Sequence, residues 1–241
     1  MSDERRERNA AAARQLPLAL RYPPDQRLET FIAAPEGSVA QLRELARSTG
    51  GAIYLQGVEG VGKTHLALAT CAAAEAIGCR AAYLPLQAAR GRLSDALQAL
   101  EGNALAALDG LDTIAGDRAD EVALFDFHNR ARSAGIALLY IAQAGPAQLP
   151  LALPDLRSRL SQCARIALDP LDDAGRREVL RERAQRRGLA VDEAAYDWLL
   201  RRVGRDLAGL TSLLDRLDRA SLAAKRRITV PFLRELLDPA R

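Results

Sequence analysis

The stretch GVEGVGKTH, Gly57 to His65, decides how the chain is read. It satisfies the pattern G-x-x-x-x-G-K-[S/T] in full. The apolar run AIYLQ precedes it and a helical pattern follows. That is the setting in which such a loop binds phosphate. Glycine lets backbone N–H groups turn inward, and the helix that starts near Lys63 adds the positive end of its dipole. The binding loop is Gly57, Val58, Glu59, Gly60, Val61, Gly62, Lys63, Thr64 and His65. Lys63 is placed to reach the terminal phosphates and Thr64 to hold Mg²⁺. Lysine occurs only at positions 63 and 225, in a chain with 34 lysine and arginine residues together. At position 63 the chemistry requires it.

Outward from the loop, short apolar runs alternate with helical patterns. Strands are expected at Ala52–Gln56, Ala81–Pro85, Leu105–Asp109, Ala137–Ala142 and Ala164–Leu168. Helices are expected at Val39–Ser48, Lys63–Ile77, Leu86–Leu100 and Asp120–Ala134. Runs that are apolar on both sides of the pleat belong to strands covered on both faces. The fold class is therefore α/β, a five-stranded parallel sheet with helices on both faces. Beyond LDPLDD (Leu168–Asp173) the strands stop. Asp172 can cap a helix that ends near Arg187 with Gly188 behind it, and a second helix is expected near Asp192–Val203. A third begins at Asp206, with Leu207, Leu210, Leu214, Leu217 and Ser221 on one face. Thr229 caps a last short helix carrying Pro231. The expected organisation is an arm over 1–27, a nucleotide-binding domain over 28–169 and a small all-α lid over 170–241.

Composition excludes little but orders the alternatives. Hydrophobic residues make up 49% and charged residues 27%, with a formal net charge of +3. This suits a packed soluble domain, and the mild positive charge does not by itself argue for nucleic acid. The three cysteines, Cys71, Cys79 and Cys163, lack metal-ligand spacing and read as reduced, mostly buried thiols. The amino terminus MSDERRERNA has no apolar core of a signal peptide, and no run is long enough to span a membrane. The expectation is a cytoplasmic protein with no membrane partner.

A nucleotide loop of this kind needs a second piece, an apolar strand ending in a metal-binding carboxylate. ALAALDGLD (Ala104–Asp112) supplies it, with Asp109 at the strand end. Enzymes that hydrolyse their own nucleotide commonly carry a second acid next to this one; here the position is Gly110. Asp112 is close in sequence but need not face the phosphates.

GKTHLAL (Gly62–Leu68), LDGLDTIAGD (Leu108–Asp117), LPDLRSRL (Leu153–Leu160) and RRITVPFLRELL (Arg226–Leu237) together resemble the AAA+ module of the bacterial replication initiator DnaA. The chain stops where that initiator would continue into a helix-turn-helix domain. LFDFHNRARSAG (Leu124–Gly135), LDRAS (Leu217–Ser221) and the arm are more similar to the Hda family of initiator regulators. The resemblance implies a nucleotide-bound protein, with ADP or ATP and Mg²⁺, that docks on the DNA-loaded sliding clamp (the DNA polymerase III beta subunit). There it would stimulate ATP hydrolysis by DnaA and so restrain initiation. It implies contact with DNA mainly through the clamp, nucleoid association by that route, and allows a homodimer. It assigns Arg159 as the catalytic residue, an arginine finger reaching a neighbour's γ-phosphate. By position alone Arg159 is a surface arginine on a short helix before the last strand. Two positions depart from the family pattern: the fourth strand ends in Gln143 without a serine or threonine and an aspartate, and Ala208 stands where the lid carries an arginine, with Arg205 one turn away. Together with Gly110 these favour weak or absent self-hydrolysis. The alternatives are an autonomous DnaA-like or helicase-loader-type ATPase and a small-molecule P-loop kinase; for the latter the sequence offers no acceptor pocket.

RQLPLAL (Arg14–Leu20) closes the reading. Sliding clamps take extended peptides of this form. Gln15 resembles the glutamine of such a peptide; Leu16, Leu18 and Leu20 alternate along the chain, and Pro17 favours extension. Without the resemblance, an arm folding back as an edge strand is an equal reading.

Overall fold

The computed structural model describes residues 27–32, 34–202, 213–214, 216–221 and 226–237. Its centre is a five-stranded sheet made of β1 (Ala52–Gln56), β2 (Ala81–Pro85), β3 (Leu105–Asp109), β4 (Ala137–Ala142) and β5 (Ala164–Ala167). The order is β2-β3-β4-β1-β5, and every pairing is parallel. The first four strands have the bounds expected from sequence.

Alternation along each strand sorts side chains to two cores. On one face Ile53, Leu55, Leu105, Ala107, Leu139 and Ile141 pack with α1 (Ser38–Leu45) and α2 (Lys63–Glu75). On the other, Tyr54, Leu108, Leu138 and Tyr140 pack with α3 (Leu86–Ala89), α4 (Leu93–Gln98), α5 (Arg118–Ala134) and α6 (Pro154–Ser161). β4 is buried at all its residues, as a strand covered on both faces must be. The small residues of α2, among them Ala67, Ala69, Cys71 and Ala74, are buried and let the helix lie close on the sheet.

Three sequence expectations need correction. The single helix over Leu86–Leu100 is two, because Gly91 adopts φ +75° and its N–H is captured by the buried Asp120 carboxylate at 3.0 Å. α5 begins at Arg118, since Asp117 accepts from Ala119 N and Asp120 N and starts the helix earlier. β5 is an edge strand, with Ala164, Arg165 and Ala167 exposed, and only Ile166 meets the core; the double-sided burial expected of it does not hold.

Beyond the sheet lie α7 (Asp173–Arg186), α8 (Glu193–Arg202), helical turns over 216–221, and α9 (Val230–Leu237). The Asp172 carboxylate accepts from Gly175 N at 2.7 Å and Gly188 follows α7 with φ +67°, as caps should. Thr229 accepts from Phe232 N at 3.4 Å. Leu180, Tyr196, Trp198, Leu199, Leu214, Leu217, Phe232 and Leu233 form a third core. Residues 203–212, with Arg205, Leu207, Ala208 and Leu210, lie outside the described residues, as does the arm over 1–26. Among the described residues no helix is long and apolar enough to cross a membrane. The three thiols are free, with Cys71 and Cys163 buried; burial pushes Cys71 up to about 12 and Cys163 up to about 11.

Candidate functional site

Ligands of open parallel sheets bind at the carboxyl ends of the strands. There the loop leaves β1 after Gln56 and ends at Lys63, the first residue of α2. Two glycines make its path possible. A Cβ on Gly57 would lie 2.6 Å from Leu168 O and 2.9 Å from Val61 Cγ2. A Cβ on Gly62 would lie 2.7 Å from the Phe31 ring, at a φ of +97° that side chains rarely adopt. Val58 and Glu59 are exposed, whereas Val61 is buried and pins the loop to the core.

Lys63 Nζ folds back on the loop, donating to Gly57 O at 2.6 Å and Val58 O at 2.7 Å. Burial holds its ammonium below the usual lysine value, opposed by the carboxylates of Asp109, Asp112 and Glu59. These bonds keep the cation over the concave side of the loop, where an anion would replace the two carbonyls. Thr64 Oγ1 donates to Asp109 Oδ2 at 2.7 Å, joining the start of α2 to the end of β3 across the intervening β4. Hydroxyl and carboxylate are thus together, as a Mg²⁺ bound with phosphates requires. Among the described residues no group of three His, Cys, Asp or Glu side chains could hold a metal ion alone.

Sequence reasoning missed two members of this site. Tyr83 of β2 donates its hydroxyl to the same Asp109 Oδ2 at 2.8 Å; burial, then the Asp109 charge, raises its pKa. A tyrosine half-buried in a strand needs a partner for its hydroxyl, which was the available signal. Phe31 packs tilted against the His65 ring, with centroids 5.4 Å apart and planes at 52°, and His65 Nε2 lies 3.3 Å from Arg27 O. Residues 27–31 therefore lie directly against the loop. No spacing in the sequence indicated this.

Gly110 takes φ +91° and its N–H donates to Ile141 O at 3.0 Å. The chain turns there into a 3₁₀ turn over Leu111–Thr113. Both Asp112 oxygens accept from Gln143 N, at 3.0 and 2.8 Å. Asp112 thus ties the turn after β3 to the end of β4.

Arg159 is not part of this cluster. It sits in the last turn of α6, just before β5 begins, at the amino ends of the strands, whereas the loop lies at their carboxyl ends. α6 also packs on the face away from α2. The residue is half-buried and, among the described residues, makes no hydrogen bond or ion pair. Nearby His128, buried and 2.9 Å through Nδ1 from the Tyr140 hydroxyl, is pushed down to about 4 by burial and then by Arg132 and Arg159. At neutral pH that imidazole is uncharged and adds no repulsion. Gln15, Leu16, Leu18 and Leu20 lie outside the described residues.

Residues 173–237 match the family model described as Hda, lid domain. Domain III of the Thermotoga maritima replication initiation protein DnaA is similar in structure at 20% identity. The match covers 90% of this chain and 98% of that one, with a TM-score of 0.72. The replication initiator DnaA bound to AMPPCP and single-stranded DNA matches at 20% identity over 81% of this chain, with a TM-score of 0.66; this chain spans 65% of its length. The RuvB Holliday junction branch migration motor of Thermotoga maritima matches at 18% identity over 90% of this chain and 72% of that one, with a TM-score of 0.62.

The backbone at Gly110 yields a prediction. Gly110→Glu restores the second acid by composition but places a side chain at φ +91°, at a cost of about 1 to 2 kcal/mol. Urea denaturation should show that loss, and single-turnover assays should show no gain in ATP hydrolysis; a hydrolysing, undestabilised variant would contradict it.

Proposed function

We propose that this chain, an Hda-like, DnaA-related AAA+ protein, restrains replication initiation as a nucleotide-bound regulator. In this reading it binds ADP, docks on the DNA-loaded sliding clamp through Gln15, Leu16, Leu18 and Leu20, and drives ATP hydrolysis by DnaA through Arg159 in trans. The observation that carries the reading is a complete phosphate loop on a chain whose helical end matches the Hda lid.

Gly57 to His65 wrap the phosphates, and Lys63 exchanges the carbonyls of Gly57 and Val58 for phosphate oxygens. Thr64 and Asp109 are the residues that would hold Mg²⁺, which supplies charge neutralisation between phosphate oxygens when bound. Tyr83 keeps Asp109 oriented. Efficient self-hydrolysis is not supported: Gly110 carries no carboxylate, and that of Asp112 is tethered to Gln143 N. Arg159, without a hydrogen bond or ion pair among the described residues and on a helix packed on the face away from α2, suits a γ-phosphate on a neighbouring molecule. There its charge would stabilise the transferring phosphoryl group, a role worth about 10³ to 10⁵ in rate in other systems.

Three variants test the parts separately. Lys63→Ala should lose ADP affinity in calorimetry; unchanged affinity removes the loop assignment. Arg159→Ala should keep ADP binding and lose stimulation of DnaA ATPase on clamp-loaded DNA. Full stimulation by that variant removes the finger, and ATP turnover without DnaA would favour an autonomous ATPase. Gln15→Ala combined with Leu18→Ala should abolish clamp binding in surface plasmon resonance, whereas retained binding makes the arm a tether of another kind.

A further inference from the structure

Glu121 lies in the first turn of α5 with none of its surface exposed. A buried carboxylate without a cation is costly unless every oxygen is satisfied. Here backbone N–H groups supply the compensation. Oε1 accepts from Gly116 N at 2.7 Å and Ala152 N at 2.9 Å, and Oε2 accepts from Leu153 N at 2.6 Å. Such bonds to an ionised acceptor are stronger than neutral ones.

Two of these donors come from distant sequence. Ala152 and Leu153 are the residues immediately before α6, the helix that carries Arg159. That helix has a poor start of its own: Leu153 offers no side-chain cap, and Pro154 has no N–H. Arg157 Nη2 adds a third tie, donating to Leu151 O at 2.6 Å. Residues 151–153 are thus held at three successive backbone groups, two of them by Glu121. Leu156 and Leu160 then seat the helix in the core.

We infer that Glu121 is a positioning residue for Arg159, fixing the origin and tilt of α6 so that the guanidinium meets its target in register. This rests on the trans-acting role proposed for Arg159. Glu121 itself makes no bond to Arg159 and acts through the helix. The lever is short but sufficient. Arg159 lies about 9 Å along the axis from Leu153 at 1.5 Å per residue, and a tilt of about 10° to 20° already exceeds what a preorganised site tolerates.

The test is Glu121→Gln in the full chain. The amide preserves size, removes the charge and turns one oxygen into an NH₂ that opposes a backbone N–H. ADP affinity by calorimetry should be unchanged. The protein concentration giving half-maximal stimulation of DnaA ATPase on clamp-loaded DNA should also be unchanged. The maximal rate should fall by about tenfold to a hundredfold, as misplacement of a transition-state group costs. A merely structural Glu121 would leave the maximal rate per folded molecule unaltered, and a maximal rate within about twofold of the parent overturns the inference. If Glu121→Gln does not fold, Arg157→Gln removes the neighbouring tie at a half-buried site. It should lower the maximal rate in the same selective way, and an unchanged rate there overturns the inference equally. Arg159→Ala separates the two levels. If it stimulates fully, the finger reading itself fails; if it is inactive while Glu121→Gln is fully active, only the positioning fails.

Discussion

β1 is hydrogen-bonded on both edges, to β4 and β5, and Ile53, Tyr54 and Leu55 are buried on its two faces. Everything else is arranged around that condition. A strand so enclosed must be nearly all apolar, must run parallel to neighbours delivered by helices, and must leave the core abruptly. GVEGVGKTH is that exit. The dense packing around it is why Gly57 faces Leu168 O and Gly62 faces Phe31 with no room for a Cβ.

The Thr64–Asp109 hydrogen bond then measures how well the two cores agree. Thr64 starts α2, which packs on one face; Asp109 ends β3, two places along the sheet. Their 2.7 Å contact, shared with Tyr83, requires α2 to be seated and β3 in register at once. The same logic applies away from the loop. Glu121 and Asp120, adjacent on α5, spend their buried carboxylates on backbone N–H groups of other segments, 152–153 and Gly91. In both cases a charged side chain in the interior organises a connection that has no regular hydrogen bonds of its own.

The strands were legible because double-sided burial writes itself as short apolar runs, and four of five have the expected bounds. β5 was misjudged in exposure because Ala164, Ile166 and Ala167 are apolar whether or not a neighbour covers them, and the charge of Arg165 was not weighed; the sheet order makes it an edge. The helix over Leu86–Leu100 was misread because its break depends on Gly91 meeting Asp120, 29 residues away. Tyr83 and Phe31 were missed for the same reason. Each joins the site through a contact that no local period encodes.

Sequence alone determined the phosphate loop, the parallel α/β class, the start of the helical end after Asp172, and the resemblance through which Arg159 was singled out. All of these are local patterns, set by glycine torsions, caps and alternation along short segments. Tertiary structure decided that Asp109 faces Thr64 and Tyr83, that Asp112 binds the Gln143 backbone, that Gly110 sits at positive φ, and that the helix carrying Arg159 packs on the sheet face away from α2 with Glu121 bonded to the segment before it. Those outcomes depend on which distant backbone groups a carboxylate meets once the sheet has formed, and that is a property of packing in three dimensions.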